Sequence, residues 1–143
     1  MVKVTRYIYL VLACLFVIGV LYQVYLAGLV VVASRAGWGD HIGLGHTLAG
    51  PLLLMLIAQY LARLPRSSKT LTWILFVAYA LQADVVIFMR GSAPLVSALH
   101  PVLALVDFAI GYALVVRTWR LIKAPEMTEI PAGPSAAPAA TVD

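Results

Sequence analysis

Apolar residues run almost without interruption through four stretches of the chain, about 7–33, 42–62, 70–89 and 95–116, and polar residues gather in the short links between them. A helix needs about 20 predominantly apolar residues to cross a bilayer, so each stretch has the length of a span. The first is longer than a span requires, which predicts tilt or projection beyond the bilayer. It is also too long for the core of a cleaved leader, about 7–15 residues. The links at 34–41, 63–69 and 90–94 carry Gly, Pro or Ser, which punctuate helices. Links this short make sequential helices antiparallel neighbours. The pattern therefore predicts an all-α fold, a membrane-embedded up-down-up-down four-helix bundle over residues 1–123. Its second and fourth helices would be diagonal and parallel. After Lys123 the chain turns Ala- and Pro-rich without an apolar period, and 124–143 is expected to be a disordered tail. Beyond the alternation of spans, no internal repeat stands out.

Composition supports a bilayer as solvent. The chain has 143 residues, 63% of them hydrophobic and 11% charged, with mean hydropathy +0.98. Globular domains carry about 25% charged residues. The basic residues are segregated: Lys3, Arg6, Arg63, Arg66, Lys69, Arg117, Arg120 and Lys123 fall on one side of the expected bundle, Arg35 and Arg90 on the other. The positive-inside rule then puts both termini in the cytoplasm, as in a multi-pass protein of the plasma (inner) membrane. That asymmetry accounts for the net charge of +4 through anionic lipid, without nucleic acid as a partner. Cys14 is the single cysteine, so neither an intramolecular disulfide nor covalent haem attachment through Cys-x-x-Cys-His is available. No P-loop, dinucleotide fingerprint or Gly-x-Ser-x-Gly elbow is present.

The candidate chemistry lies in ionisable residues inside the apolar stretches, where such groups are expensive. His46 and His100 each fall about one turn inside the outer end of a span, at matched depth on the two diagonal helices. Two histidines facing each other across a membrane bundle suit the iron of a b-type haem. Gly43 and Gly50 accompany His46. Ser97 and Ala104 share a small-residue stripe with His100. Small stripes also serve plain helix packing. Arg35 and Arg90 are the basic residues available to haem propionates at that end. His41 is a competing ligand: it lies five positions before His46, about 140° away around a continuous helix. A zinc or copper site normally takes more protein ligands than two. Asp84 and Asp107 are intramembrane carboxylates with second-shell or proton-handling potential, and Gln23 marks the inner face of the first span.

The segments Gln23-Val24-Tyr25-Leu26-Ala27-Gly28, Asp40-His41-Ile42-Gly43-Leu44-Gly45-His46 and Leu99-His100-Pro101 resemble a widespread bacterial family of small four-helix membrane proteins of unknown function. The resemblance spans about residues 5–123. The pattern is also distantly similar in architecture to haem-binding four-helix membrane bundles such as cytochrome b561 and haem A synthase. That similarity implies at most one bis-histidine haem, because this chain has three histidines. The leading expectation is a haem b protein of electron transfer, ligated by His46 and His100 near the extracytoplasmic face. Its rivals are a non-enzymatic membrane subunit or scaffold and a proton- or ion-handling element built on Asp84 and Asp107. The last would need a homo-oligomer, since four helices make a thin pathway. Electron transfer would call for a redox partner or a quinone.

Overall fold

The computed structural model of the chain describes residues 1–35 and 37–124, apart from the side chains of Val85 and Val86. Most of the tail expected to be disordered, from residue 125 on, lies outside the described residues. Four long helices dominate: α1 (Val2–Val31), α2 (Trp38–Leu61), α3 (Arg66–Ala80) and α4 (His100–Lys123). The third passage does not stop at Ala80. It continues through a π-helical turn (Leu81–Val85), one α-turn (Val86–Phe88) and a 3-10 turn (Met89–Gly91), and a single helical turn (Pro94–Ser97) leads into α4. Among the described residues every regular element is helical.

Neighbours in sequence are neighbours in space. α1 packs along α2 and α4, and α3 along α4 and, less extensively, α2. The diagonals are therefore α1–α3 and α2–α4, as the short links require. α1, α2 and the passage Pro94–Lys123 are each long and apolar enough to cross a membrane. The third passage is cut by its π-turn, so no single helix in it reaches that length.

Each helix buries one stripe at helical spacing. On α1 it is Tyr9, Ala13, Phe16 and Val20, and on α2 it is Leu48, Leu52, Met55 and Gln59. On α3 it is Ser68, Thr72, Leu75 and Tyr79, and on α4 Asp107, Gly111, Leu114 and Thr118. The outward faces stay apolar: Val4, Ile8, Val11, Leu15 and Ile18 are all exposed on α1. A helix apolar all round belongs in a core or a bilayer, and these faces have no protein over them. Close approach of α1 and α2 depends on Gly19, where an added Cβ would stand 2.2 Å from Leu48 Cδ2. Across the α1–α3 diagonal, the Tyr9 hydroxyl and Thr72 Oγ1 share a hydrogen bond of 2.6 Å.

The end of α2 shows why the chain turns where it does. Arg63 adopts φ 49°, the N–H of Leu64 donates to Gln59 O and that of Arg63 to Tyr60 O. This is the paired-bond helix terminus usually built on glycine, here with arginine in the left-handed position and Leu64 buried behind it.

Candidate functional site

At the end of the bundle away from the basic cluster, α1, the third passage and the starts of α2 and α4 line a cavity of about 1060 Å³. Small-molecule pockets usually measure about 300–1,000 Å³. Two histidine rings meet in its wall. The centroids of His41 and His100 are 6.1 Å apart, with the rings inclined at 68°.

Each ring is held the same way. His41 Nδ1 lies 3.1 Å from the main-chain carbonyl of Gln23, and His100 Nδ1 lies 3.1 Å from that of Gln82. A carbonyl only accepts, so each Nδ1 carries the proton and donates. In the neutral rings each Nε2 then keeps its lone pair free for a ligand. Both histidines follow their glutamine by 18 positions, and Gln82 and His100 follow Gln23 and His41 by the same 59. The α1–α2 and α3–α4 hairpins thus present one arrangement twice. The correspondence continues down the helices: Gly45 and Ala104 lie one turn after each histidine on the same face, and Gln59 and Thr118 occupy equivalent buried positions near the other end.

Local structure explains the placement. His41 sits in the first turn of α2 beside Trp38, whose ring meets it edge to face at 5.5 Å. His100 opens α4 immediately before Pro101, where proline fits because the first helical N–H groups have no partner in the helix. Gln82 lies in the π-turn, a register change of the kind that often marks functional positions. The turn lets the third passage offer a carbonyl to His100. Gly45 packs close to Gln23: a Cβ there would lie 2.9 Å from Gln23 Nε2, so any side chain would displace the end of that glutamine. The Gly45 carbonyl accepts a hydrogen bond from the Tyr79 hydroxyl, tying α3 to α2 below the histidines. The side-chain oxygens Gln23 Oε1 and Gln82 Oε1 are both buried without a partner, and both glutamines line the cavity.

The residues singled out in the sequence distribute unevenly over this site. His41, His46, His100, Ser97, Ala104, Arg90, Asp84 and Gln23 all line the cavity. His46 is exposed, however, and it is His41 that meets His100. The cause is register: α2 starts at Trp38, so His41 lies on the helix in line with Gly45 and the buried Leu48 and Leu52, and His46 falls off that stripe. Gly43, Gly50 and Arg35 are exposed and lie off the cavity. Nothing comes within 4 Å of where a Cβ on Gly43 or Gly50 would be. Asp107 is fully buried, two turns below His100, and both carboxyl oxygens lack a hydrogen-bond partner. Among the described residues, no group of three or more His, Cys, Asp or Glu side chains is gathered to hold a metal ion.

Sequence reading overlooked the repeat and the two carbonyl acceptors. A side chain cannot announce a main-chain acceptor. The offset of 59, however, aligns Gln-Gln and His-His pairs and was present in the sequence.

Residues 23–87 match the profile of a family of unknown function (DUF6220). The matched stretch begins at Gln23 and includes the positions of His41 and Gln82, and His100 lies beyond it. Over that stretch the chain is thus similar to a family whose function is unknown. No curated protein and no solved structure matches it.

Proposed function

We propose that the cavity binds one haem b between His41 and His100, and that the protein carries electrons in the membrane. The observation behind this reading is the pair of matched Nδ1–carbonyl bonds. Metal-ligating histidines nearly always donate their second ring N–H in this way, which orients the ring and makes the other nitrogen a better ligand. The ring centroids stand 6.1 Å apart, a separation that ring pairs without a metal also adopt, so the hydrogen bonds carry the argument.

Haem is favoured over a bare ion because the macrocycle supplies four ligands and the protein needs to supply two. When bound, haem iron exchanges a single electron between its ferric and ferrous states, and two histidines leave no open position for oxygen chemistry. The chain's own contributions follow from its geometry. Gln23 and Gln82 fix the imidazoles through their carbonyls. Gly45 and Ala104 keep the faces below the histidines flat enough for a planar ring. Arg90 stands at the mouth as a partner for propionates. By the positive-inside rule the protein is multi-pass in the inner membrane with both termini cytoplasmic, which puts the haem near the outer face. The test is stoichiometry: protein from haem-replete cells should carry one haem per chain as the pyridine complex, and colourless protein would end this reading.

A second reading, a proton- or ion-handling element, is favoured by Asp107, whose carboxyl group is fully buried with neither oxygen partnered. Ionisable groups at such depth commonly mark ion pathways.

A further inference from the structure

A second cavity, of about 370 Å³, opens at the opposite, basic end of the bundle between the start of α3 and the last turns of α4. Ser67 and Ser68 line it from α3, and Arg117, Thr118 and Arg120 from α4. Three independent features converge there. α3 begins after Pro65, which makes no side-chain cap bond, so the N–H groups of Arg66 and Ser67 stay open at the positive end of the helix. Thr118 is 1% exposed, and its hydroxyl oxygen is buried without a hydrogen-bond partner. Among the described residues no acid stands near Arg117 or Arg120: the described acidic residues are Asp40, Asp84 and Asp107, all in the other half of the bundle.

We propose that this cavity is a phosphate-binding site, filled in the membrane by the headgroup of an anionic phospholipid. A helix N-terminus offers N–H donors to an anion. Arginine guanidinium groups match phosphate oxygens two at a time. The Thr118 hydroxyl supplies the donor that the buried wall otherwise leaves idle. Leu64 and Leu121 complete the lining. They lead from the polar floor to the apolar outer faces of the bundle, where acyl chains lie. Basic pockets between membrane helices on the cytoplasmic side are common headgroup sites. The site is independent of the haem reading.

The test uses the full-length, delipidated protein in uncharged detergent. Short-chain phosphatidylglycerol, the corresponding diacylglycerol and inorganic phosphate are titrated separately, with tryptophan fluorescence and the thermal unfolding temperature as readouts. Phosphatidylglycerol should bind saturably and raise the unfolding temperature, and diacylglycerol should not. Arg117→Gln/Arg120→Gln should weaken binding by about tenfold or more, as loss of charged phosphate contacts does. Lys3→Gln/Arg63→Gln removes the same charge elsewhere at this end and should weaken binding far less. Thr118→Val keeps the side-chain shape, covers the case in which the arginine pair fails to fold, and should weaken binding severalfold. Inorganic phosphate competing at millimolar concentration would support the site and make a soluble phosphate its source. Equal losses in both double variants, or equal binding of diacylglycerol, would overturn the proposal, because diffuse charge or apolar contact would then suffice.

Discussion

The rings of His41 and His100 stand 6.1 Å apart between centroids, inclined at 68°, although 59 positions separate them, and each donates Nδ1–H to the carbonyl of a glutamine 18 positions earlier. The pairing does two things at once. It fixes the tautomer of both rings, and it ties each helix that enters from the outer end to the helix before it. Two hairpins with little sequence in common thereby place equivalent groups on either side of one cavity.

Space beside the histidines should be as important as the histidines themselves. Gly45→Leu puts a branched side chain where a single Cβ already stands 2.9 Å from Gln23 Nε2. Ala104→Leu fills the equivalent position of the second hairpin. Each should lower haem content severalfold while helicity by circular dichroism stays at the parent level. Full haem content in both would mean that the ligand lies elsewhere.

The glycines of α1 should divide sharply. Gly19→Val forces its side chain into Leu48, whose Cδ2 is 2.2 Å from a Cβ at that site, and should destabilise by about 1–3 kcal/mol. Gly28→Ala meets nothing within 4 Å and should be neutral or stabilising by up to about 1 kcal/mol. Thermal unfolding in one detergent distinguishes them.

Much of this architecture was legible in the sequence. Apolar stretches and short links specify four antiparallel helices and their diagonals because the bilayer requires each passage to satisfy its own backbone. The facing of the histidines was not. Gly39, Asp40 and His41 read as a polar link, yet they form the first turn of α2, which brings His41 onto the helix in line with its buried stripe. The π-turn at Leu81–Val85 was equally hidden, since a register change leaves no compositional mark. Asp107 was found by its depth. That it stands at the position equivalent to Leu48 emerges only from the repeat.

Arg63 should be replaceable with profit. It holds φ 49° at the end of α2, a conformation that costs a side chain roughly 1 kcal/mol and glycine little. Arg63→Gly should raise stability by about 0.5–1 kcal/mol in detergent unfolding, and Arg63→Val should lower it. Equal loss in both would place the contribution of Arg63 in its charge.

Orientation follows from the segregation of basic residues. Reporters fused after Ala124 should be active only when the reporter requires the cytoplasm, and reporters inserted at Ser92 only when it requires the outside. The reverse pattern would turn the histidine cavity toward the cytoplasm.

The most direct measurement is the reduced-minus-oxidised absorption spectrum of the parent and three single variants, purified from haem-replete cells. Expected for the parent are a Soret band and sharp α and β bands unchanged by carbon monoxide. His41→Ala and His100→Ala should each lose these bands or convert to a five-coordinate form that binds carbon monoxide. His46→Ala, at the exposed position, should keep them. A parent without haem, or bands lost with His46→Ala and retained with His41→Ala, would contradict the site assigned to His41 and His100.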